Sequence, residues 1–357
     1  IGFELFGTSL GQGVAGLPAF AQEAVDVSGK VKPAGKAGSD AVLGEMSVPP
    51  GFWGWGLSGD SIQLDWDPNP AGEGVLYYNV YDKDDIYTTL LGSTEETRFT
   101  VTGLQPDKCY LYQVRAVNAE GLESLDTKWL VVCTLAEGQI DHAYRIFYNE
   151  VPDPAAYMTG MTVSNLGEAP ATVQITLYDA AGAALWQEQW DVQSLEQITR
   201  ELPAMVGGSL PPGTAYLKAG ADSPVLGFEL FHNLLDKADT FRVDCVAGTD
   251  RGSLQVAFPM VRGGADWTTS LRITDLAGSD QELTVEAFAA SGALVGYWTA
   301  PLAAHGQLET TLETMFPGNS AAVVSLKMTA TGRINATLVT VSSDLTRMAA
   351  TSGLPVN

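Results

Sequence analysis

Few residues in this chain could do chemistry. The three histidines, His142, His232 and His305, are scattered. None stands in an HExxH, and none accompanies a GxSxG elbow, so neither zinc-assisted hydrolysis nor a Ser-His-Asp relay is spelled out. The glycine-rich stretch 11–16 lacks the Lys-Ser/Thr and the following helix of a phosphate loop. Cys109, Cys133 and Cys245 form no CxxC, and no histidine lies at metal-ligand spacing from them, which argues against zinc or haem. Asp65, Asp67, Asp82, Asp84 and Asp85 make an acidic set, but Asp-Lys-Asp-Asp lacks the glycine and the distal glutamate of a calcium loop. It reads as a solvated acidic rim, with weak calcium binding left open. The expectation is a chain with no catalytic residue, no cofactor and no metal site.

Composition narrows the classes further. The chain has 357 residues, enough for two or three domains, and is 45% hydrophobic and 17% charged. Its net charge of −23 comes from 42 acids against 19 bases, which disfavours nucleic acid and anionic membrane as partners. No apolar run approaches the roughly 18 residues needed to cross a bilayer, so direct membrane insertion is not expected. Glycine (38) and proline (18) are plentiful, and Val, Thr and Tyr recur in short alternating runs. That pattern predicts an all-β protein with many turns.

The elements that carry these residues come in repeats. Residues from about 140 to 246 and from about 254 to 357 align at a fixed offset of 110, without gaps from Thr159/Thr269 to Gly208/Gly318. Leu166/Leu276, Gly182/Gly292, Gln197/Gln307, Leu202/Leu312 and Met205/Met315 are identical pairs. Gly182 and Gly292 sit between alternating runs, as hairpin turns would. Leu202 to Met205 and Leu312 to Met315 suit a short helical turn ending at Gly208 and Gly318. Each unit reads as a β-sandwich of seven or eight strands. The word GFELF closes the first copy at residues 227–231 and also stands alone at Gly2, Phe3, Glu4, Leu5 and Phe6. Residues 1–20 therefore read as the closing strand of a truncated upstream repeat. The repeat body is either missing from this chain or cleaved from it; alternatively, the segment is a donor strand for a neighbouring sheet edge. Phe228 and Leu230 are expected to point into their sandwich. Residues 21–47, rich in Ala, Gly, Ser and Lys, read as a linker.

Residues 48–135 carry a different pattern: Pro49-Pro50, then Ser61 to Pro68 around Trp66, then Tyr77 to Tyr81, then Leu104-Gln105-Pro106, Tyr110 and Val114 to Gly121. This stretch resembles the fibronectin type III domain over nearly its full length. The resemblance implies a seven-stranded sandwich, with Trp66 as its core tryptophan, Leu104 as its turn leucine and Tyr110 as its corner tyrosine. It also places Cys109 at the start of the sixth strand and Cys133 at the end of the seventh. The two then face each other on the outer side of a hairpin, as a disulfide, with Cys245 left over. On the first strand it turns Phe52, Gly54 and Leu57 inward and the rings of Trp53 and Trp55 outward, a candidate contact surface for another domain, a subunit or a sugar. The two later units resemble repeat modules of secreted and surface proteins of Gram-negative bacteria, through Met315-Phe316-Pro317-Gly318 and Gly353-Leu354-Pro355.

The fold class expected is all-β: tandem immunoglobulin-like and fibronectin-like β-sandwiches. The function expected is a non-enzymatic extracellular or cell-surface structural or adhesive protein: a stalk, surface layer or filament subunit. Its partners would be other copies of itself or other surface proteins. The alternative is an accessory region of a longer secreted hydrolase, binding polysaccharide or protein through Trp53 and Trp55. The Asn335-Ala336-Thr337 triplet fits a glycosylation acceptor but reads as coincidence within a strand.

Overall fold

In the computed structural model, residues 46–84, 87–125, 127–152, 157–233, 243–248, 251–344 and 348–356 are described. Gly2, Phe3, Glu4, Leu5 and Phe6, and the linker, lie outside the described residues. The chain divides into two compact units, one running to Ile140 and one from Asp141. Strands dominate both units, so the chain is all-β.

The first unit is a seven-stranded sandwich. Strands β1 (Trp53–Gly56), β2 (Ser61–Asp65) and β5 (Arg98–Thr102) make one sheet. Strands β3 (Val75–Asp84), β4 (Tyr87–Thr94), β6 (Cys109–Asn118) and β7 (Leu130–Cys133) make the other, in the order β4-β3-β6-β7. Alternation dictates the core: Ile62 and Leu64 of β2 point inward with Val80, Val114, Ala116 and Val132. Trp66 is fully buried between Phe52 and Tyr78, in edge contacts at ring distances of 6.2 and 5.2 Å. Tyr110 Oη accepts a hydrogen bond from the backbone N–H of Gln105 at 2.9 Å, tying the corner between β5 and β6.

The second unit holds the two repeats. Repeat A packs the sheet β11 (Ala184–Val192), β10 (Ala171–Asp179), β13 (Thr214–Ala221), β8 (Tyr144–Tyr148) on the sheet β12 (Gln197–Glu201), β9 (Tyr157–Asn165), β14 (Val225–Asn233), β15 (Val243–Ala247). Its core runs through Ile146, Met161, Val163, Ile175, Leu177 and Leu217. The short α1 (Leu202–Met205) follows β12, as the sequence predicts.

Repeat B repeats this plan with β16 (Ser253–Phe258), β17 (Trp267–Asp275), β18 (Gln281–Phe288), β19 (Leu294–Leu302), β20 (Gln307–Thr311), α2 (Leu312–Met315), β22 (Met348–Ser352) and β23 (Leu354–Pro355). One difference is large. Its β21 (Ser325–Ser342) is a single strand of 18 residues that pairs with β16 and β18 through its first half and with β17 and β22 through its second. It does the work of both β13 and β14, so the sheets of repeat B merge. Strand pairing extends the alignment beyond Gly208, where the offset changes. Tyr148 of β8 opposes Leu217, and Phe258 of β16 opposes Leu326, so equivalence falls from 110 to 109 residues after Gly208.

The inward face of the closing strand differs from the sequence expectation. In β14 it is Gly227 and Glu229 that are buried, while Phe228 and Leu230 are half-buried on the opposite face. The physical reason is Tyr148, whose fully buried ring fills the space over Gly227. A Cβ at 227 would collide with Tyr148 Oη, which donates to the Thr162 carbonyl at 2.8 Å.

Candidate functional site

Among the described residues, the outer face of the fibronectin-like domain and the joint between repeats A and B each bring polar and aromatic groups together.

On the first, register aligns Trp53 with Asp65 and Arg98, and Trp55 with Gln63 and Thr100. Inward-facing Gly54 leaves room for Leu64 and Val132, which a Cβ would strike. The tryptophans do share the outer face, but they form a less open platform than expected. Their rings lie 4.7 Å apart, Trp55 is half-buried and Trp53 is only 6% exposed. Asp65 also departs from the expected solvated rim. It is fully buried and bonded to Arg98 Nη2 at 3.0 Å, with Gln63 Nε2 donating to it at 2.9 Å. Thr100 Oγ1 donates to Gln63 Oε1 at 2.9 Å and completes the row. This is a polar stripe whose opposite charges, Asp65 and Arg98, are directed at each other. At the far edge, Cys109 and Cys133 are opposite partners in the β6–β7 ladder, both exposed, and form a disulfide. Cys245 pairs through its backbone with Leu230. Among the described residues, no group of three or more His, Cys, Asp or Glu could hold a metal ion. The histidines stay apart. His142 lies within repeat A beside Gln174, His305 turns at the joint, and His232 sits on β14.

The joint is built differently. The outer face of β17 in repeat B receives the end of β8 and the β10–β13 edge of repeat A. Phe147 and Tyr216 of repeat A bury Leu276 of repeat B, with Tyr178 stacked on Tyr216 at 4.9 Å. Around this apolar centre the polar groups are paired across the boundary. Tyr216 Oη donates to the His305 carbonyl at 2.7 Å, and the Gln307 N–H donates to the Ala180 carbonyl at 3.0 Å. Asn149 accepts from Thr274 Oγ1 at 2.8 Å through Oδ1 and from Gln307 Nε2 at 3.0 Å through its carbonyl. The Asn335 amide, buried here, faces the Phe147 carbonyl, which closes the glycosylation triplet to modification. Gly182, at φ +82°, sits against His305 where a Cβ would collide.

At the rim of this joint lies a charged cluster that the sequence reading missed. Arg272 of β17 reaches into repeat A and ion-pairs with Glu150, and its other nitrogen meets Glu309 at 2.9 Å. Glu229, inward on β14, accepts the Glu150 N–H at 3.0 Å. Both glutamates are buried, and each keeps one carboxylate oxygen without a hydrogen-bond partner. Burial pushes the Glu229 carboxyl well above the ordinary range, and the neighbouring Glu150 charge pushes it the same way. Burial raises Glu150 too, against the pull of Arg272. Burial thus disfavours a charge on Glu229, while Arg272 faces Glu150 as its countercharge. At the other end of β8, Asp141 shows the opposite balance. Burial works against its charge, yet Lys218 at 2.9 Å and Arg145 bring its carboxyl down to about 2.

A hollow of about 500 Å³ on repeat B, lined by Trp267, Thr269, Thr311, Glu313 and Ser320, offers little to a ligand. Thr269 Oγ1 is bonded to the Arg262 carbonyl, Thr311 caps α2, Ser320 donates to Glu313, and Arg262 covers Trp267 at 4.7 Å.

Residues 48–130 match the fibronectin type III domain family, and this segment is a fibronectin type III domain. Chitinase A1 of Niallia circulans is 30% identical over 91 residues, covering 26% of this chain and 12% of that protein. Exoglucanase B of Cellulomonas fimi is 27% identical over 172 residues, covering 47% of this chain and 15% of that protein. The chain thus spans less than a sixth of the length of either relative. Among solved structures, FN3tt is 28% identical over 25% of this chain and 98% of its own, with a TM-score of 0.23. A Fn3-like protein from Clostridium thermocellum is 25% identical over 28% of this chain and 99% of its own, also with a TM-score of 0.23. Among the described residues, no helix is long and apolar enough to cross a membrane.

Proposed function

We propose that this chain is a non-catalytic extracellular region that spaces and presents, a stalk or surface-layer segment built of tandem β-sandwiches. The observation that supports this most is the joint between repeats A and B. It buries Leu276 between two aromatic rings and pairs the main-chain and side-chain groups of one repeat with those of the other. Such a joint fixes an angle between modules, which a spacer needs. A cleft that must open for a substrate would instead keep its polar groups turned to solvent. The direct test is to measure residual dipolar couplings for the full chain. One alignment tensor shared by repeats A and B is the expected result, and two independent tensors would refute a rigid spacer.

A second reading is favoured by the names of the two relatives: an accessory region beside a polysaccharide-degrading domain, with Trp55 as a contact residue. Pull-down on insoluble chitin and cellulose separates the two. Retention that is lost in Trp55→Ala would support the accessory reading, and passage of the whole chain through both polymers would support the spacer.

A further inference from the structure

The formed joint is a template, and the positions that make its two halves recur in the other repeat, where the described residues leave them exposed. Repeat B accepts repeat A through Leu276, His305 and Asn335. Strand register places Leu166, Leu195 and Leu226 of repeat A at the same three positions. The backbone agrees in detail: Leu195 has φ +59° where His305 has φ +58°. The surroundings do not agree. Leu276 is 4% exposed, whereas Leu166, Leu195 and Leu226 are 52%, 79% and 53% exposed. Three leucines on one open face, one of them on a left-handed residue, form an apolar patch of the kind that marks a contact.

The complementary half is equally open on repeat B. Glu150, Tyr178 and Ala215 of repeat A, which meet repeat B in the joint, correspond by register to Met260, Phe288 and Val324. Met260 and Val324 are exposed and Phe288 is half-buried. Gly182 is pressed against His305, while a Cβ at its counterpart Gly292 would meet none of the described residues within 4 Å. At these three positions the open edge of repeat B is apolar, like the face of repeat A, while the smaller Ala257 and Ser325 stand where Phe147 and Tyr216 fill the formed joint. The charged pair of the formed joint is absent from both, since Met260 replaces Glu150 and Thr162 replaces Arg272.

We propose that the open edge of repeat B in one copy of this chain docks on the Leu166–Leu195–Leu226 face of repeat A in a second copy, repeating the A–B joint between molecules. The two surfaces differ, so the contact is heterologous and propagates head to tail. With a net charge of −23 per copy, association should strengthen as salt screens the repulsion. This deepens the spacer reading and rests on it. A chain that stays monomeric would still keep its rigid internal joint, so the two ideas fail separately.

The test is sedimentation velocity on the full chain up to about 1 mM, the weak end of specific association, at low and high salt. The expected result is a series of oligomers that grows with concentration and with salt. Leu195→Arg and Met260→Arg change exposed side chains, so both variants should fold with wild-type circular dichroism, and each alone should be monomeric. Mixed together they should form a 1:1 dimer and stop, because one keeps the edge and the other keeps the face. A monomeric wild type across the whole range would overturn the proposal, as would a mixture of the two variants that stays monomeric. Oligomers that persist unchanged in both variants would place self-association elsewhere and overturn it too.

Discussion

Where repeat A carries Glu229 on its closing strand, repeat B carries Leu338 at the same register position, opposite Leu271 as Glu229 is opposite Met161. Leu338 belongs to an apolar core; Glu229 is a buried acid that borrows the backbone of Glu150. The difference follows from neighbours. Repeat A ends against repeat B, which supplies Arg272 to neutralise Glu150 at the mouth of the sandwich. A buried ion pair of this kind adds little net stability, because desolvation consumes most of the attraction, but losing one partner is severe. The polar core of repeat A therefore makes its integrity depend on the joint. The core of repeat B carries no such dependence.

That asymmetry can be broken in steps. Arg272→Ala should have the largest effect. It leaves Glu150 buried beside Glu229 with no countercharge, at a cost of about 3–5 kcal/mol, read by chemical denaturation of the unit from Asp141 onward within the full chain. The identical pair Leu276 and Leu166 separates joint from surface. Leu276→Ala should cost about 2–5 kcal/mol, since it empties the pocket between Phe147 and Tyr216. Leu166→Ala, on the open face, should stay within about 0.5 kcal/mol of wild type. Equal costs for the two would mean that the joint is not packed in solution.

A further contrast between the repeats lies in pH. The folded-state affinity of Glu229 for its proton is raised, so its contribution to stability is fully present below the unfolded carboxylate range and is lost as pH rises toward its folded value. Glu150 acts in the same direction. Asp141, depressed to about 2, acts oppositely, and its contribution disappears as pH falls from the unfolded value toward 2. The second unit should therefore be most stable at about pH 4–5. Above that, stability should decline by up to about 1.4 kcal/mol per pH unit for each carboxyl that titrates. Glu229→Gln keeps an acceptor for the Glu150 N–H and removes the titration. It should match wild type near pH 4 and exceed it at pH 8, as equilibrium unfolding at the two pH values would show.

The fibronectin domain was legible residue by residue, because its signals are local and its spacing is fixed. Trp66, the corner tyrosine Tyr110 and the Cys109–Cys133 pair all appear where the sequence puts them. So do the repeat hairpins and helical turns. The joint was not legible. Glu150 and Arg272 lie 122 residues apart in the chain, at positions that are not equivalent in the two repeats, so no period brings them together. Glu229 was misplaced because Phe228 and Leu230 flank it and look like a buried face. The missed signal is the one-residue shift after Gly208, which makes Glu229 the equivalent of the core Leu338 instead of Val339 on the opposite face of β21. The tryptophan pair was placed on the correct face, but stacking of neighbouring side chains closes it more than alternation alone suggests.

Differential scanning calorimetry of the full chain and of Arg272→Ala tests the dependence of repeat A on repeat B most directly. Repeats A and B should melt together in one transition in the wild type, and Arg272→Ala should split it, with repeat A moving to lower temperature. Two independent transitions in the wild type, with neither moved by Arg272→Ala, would contradict it.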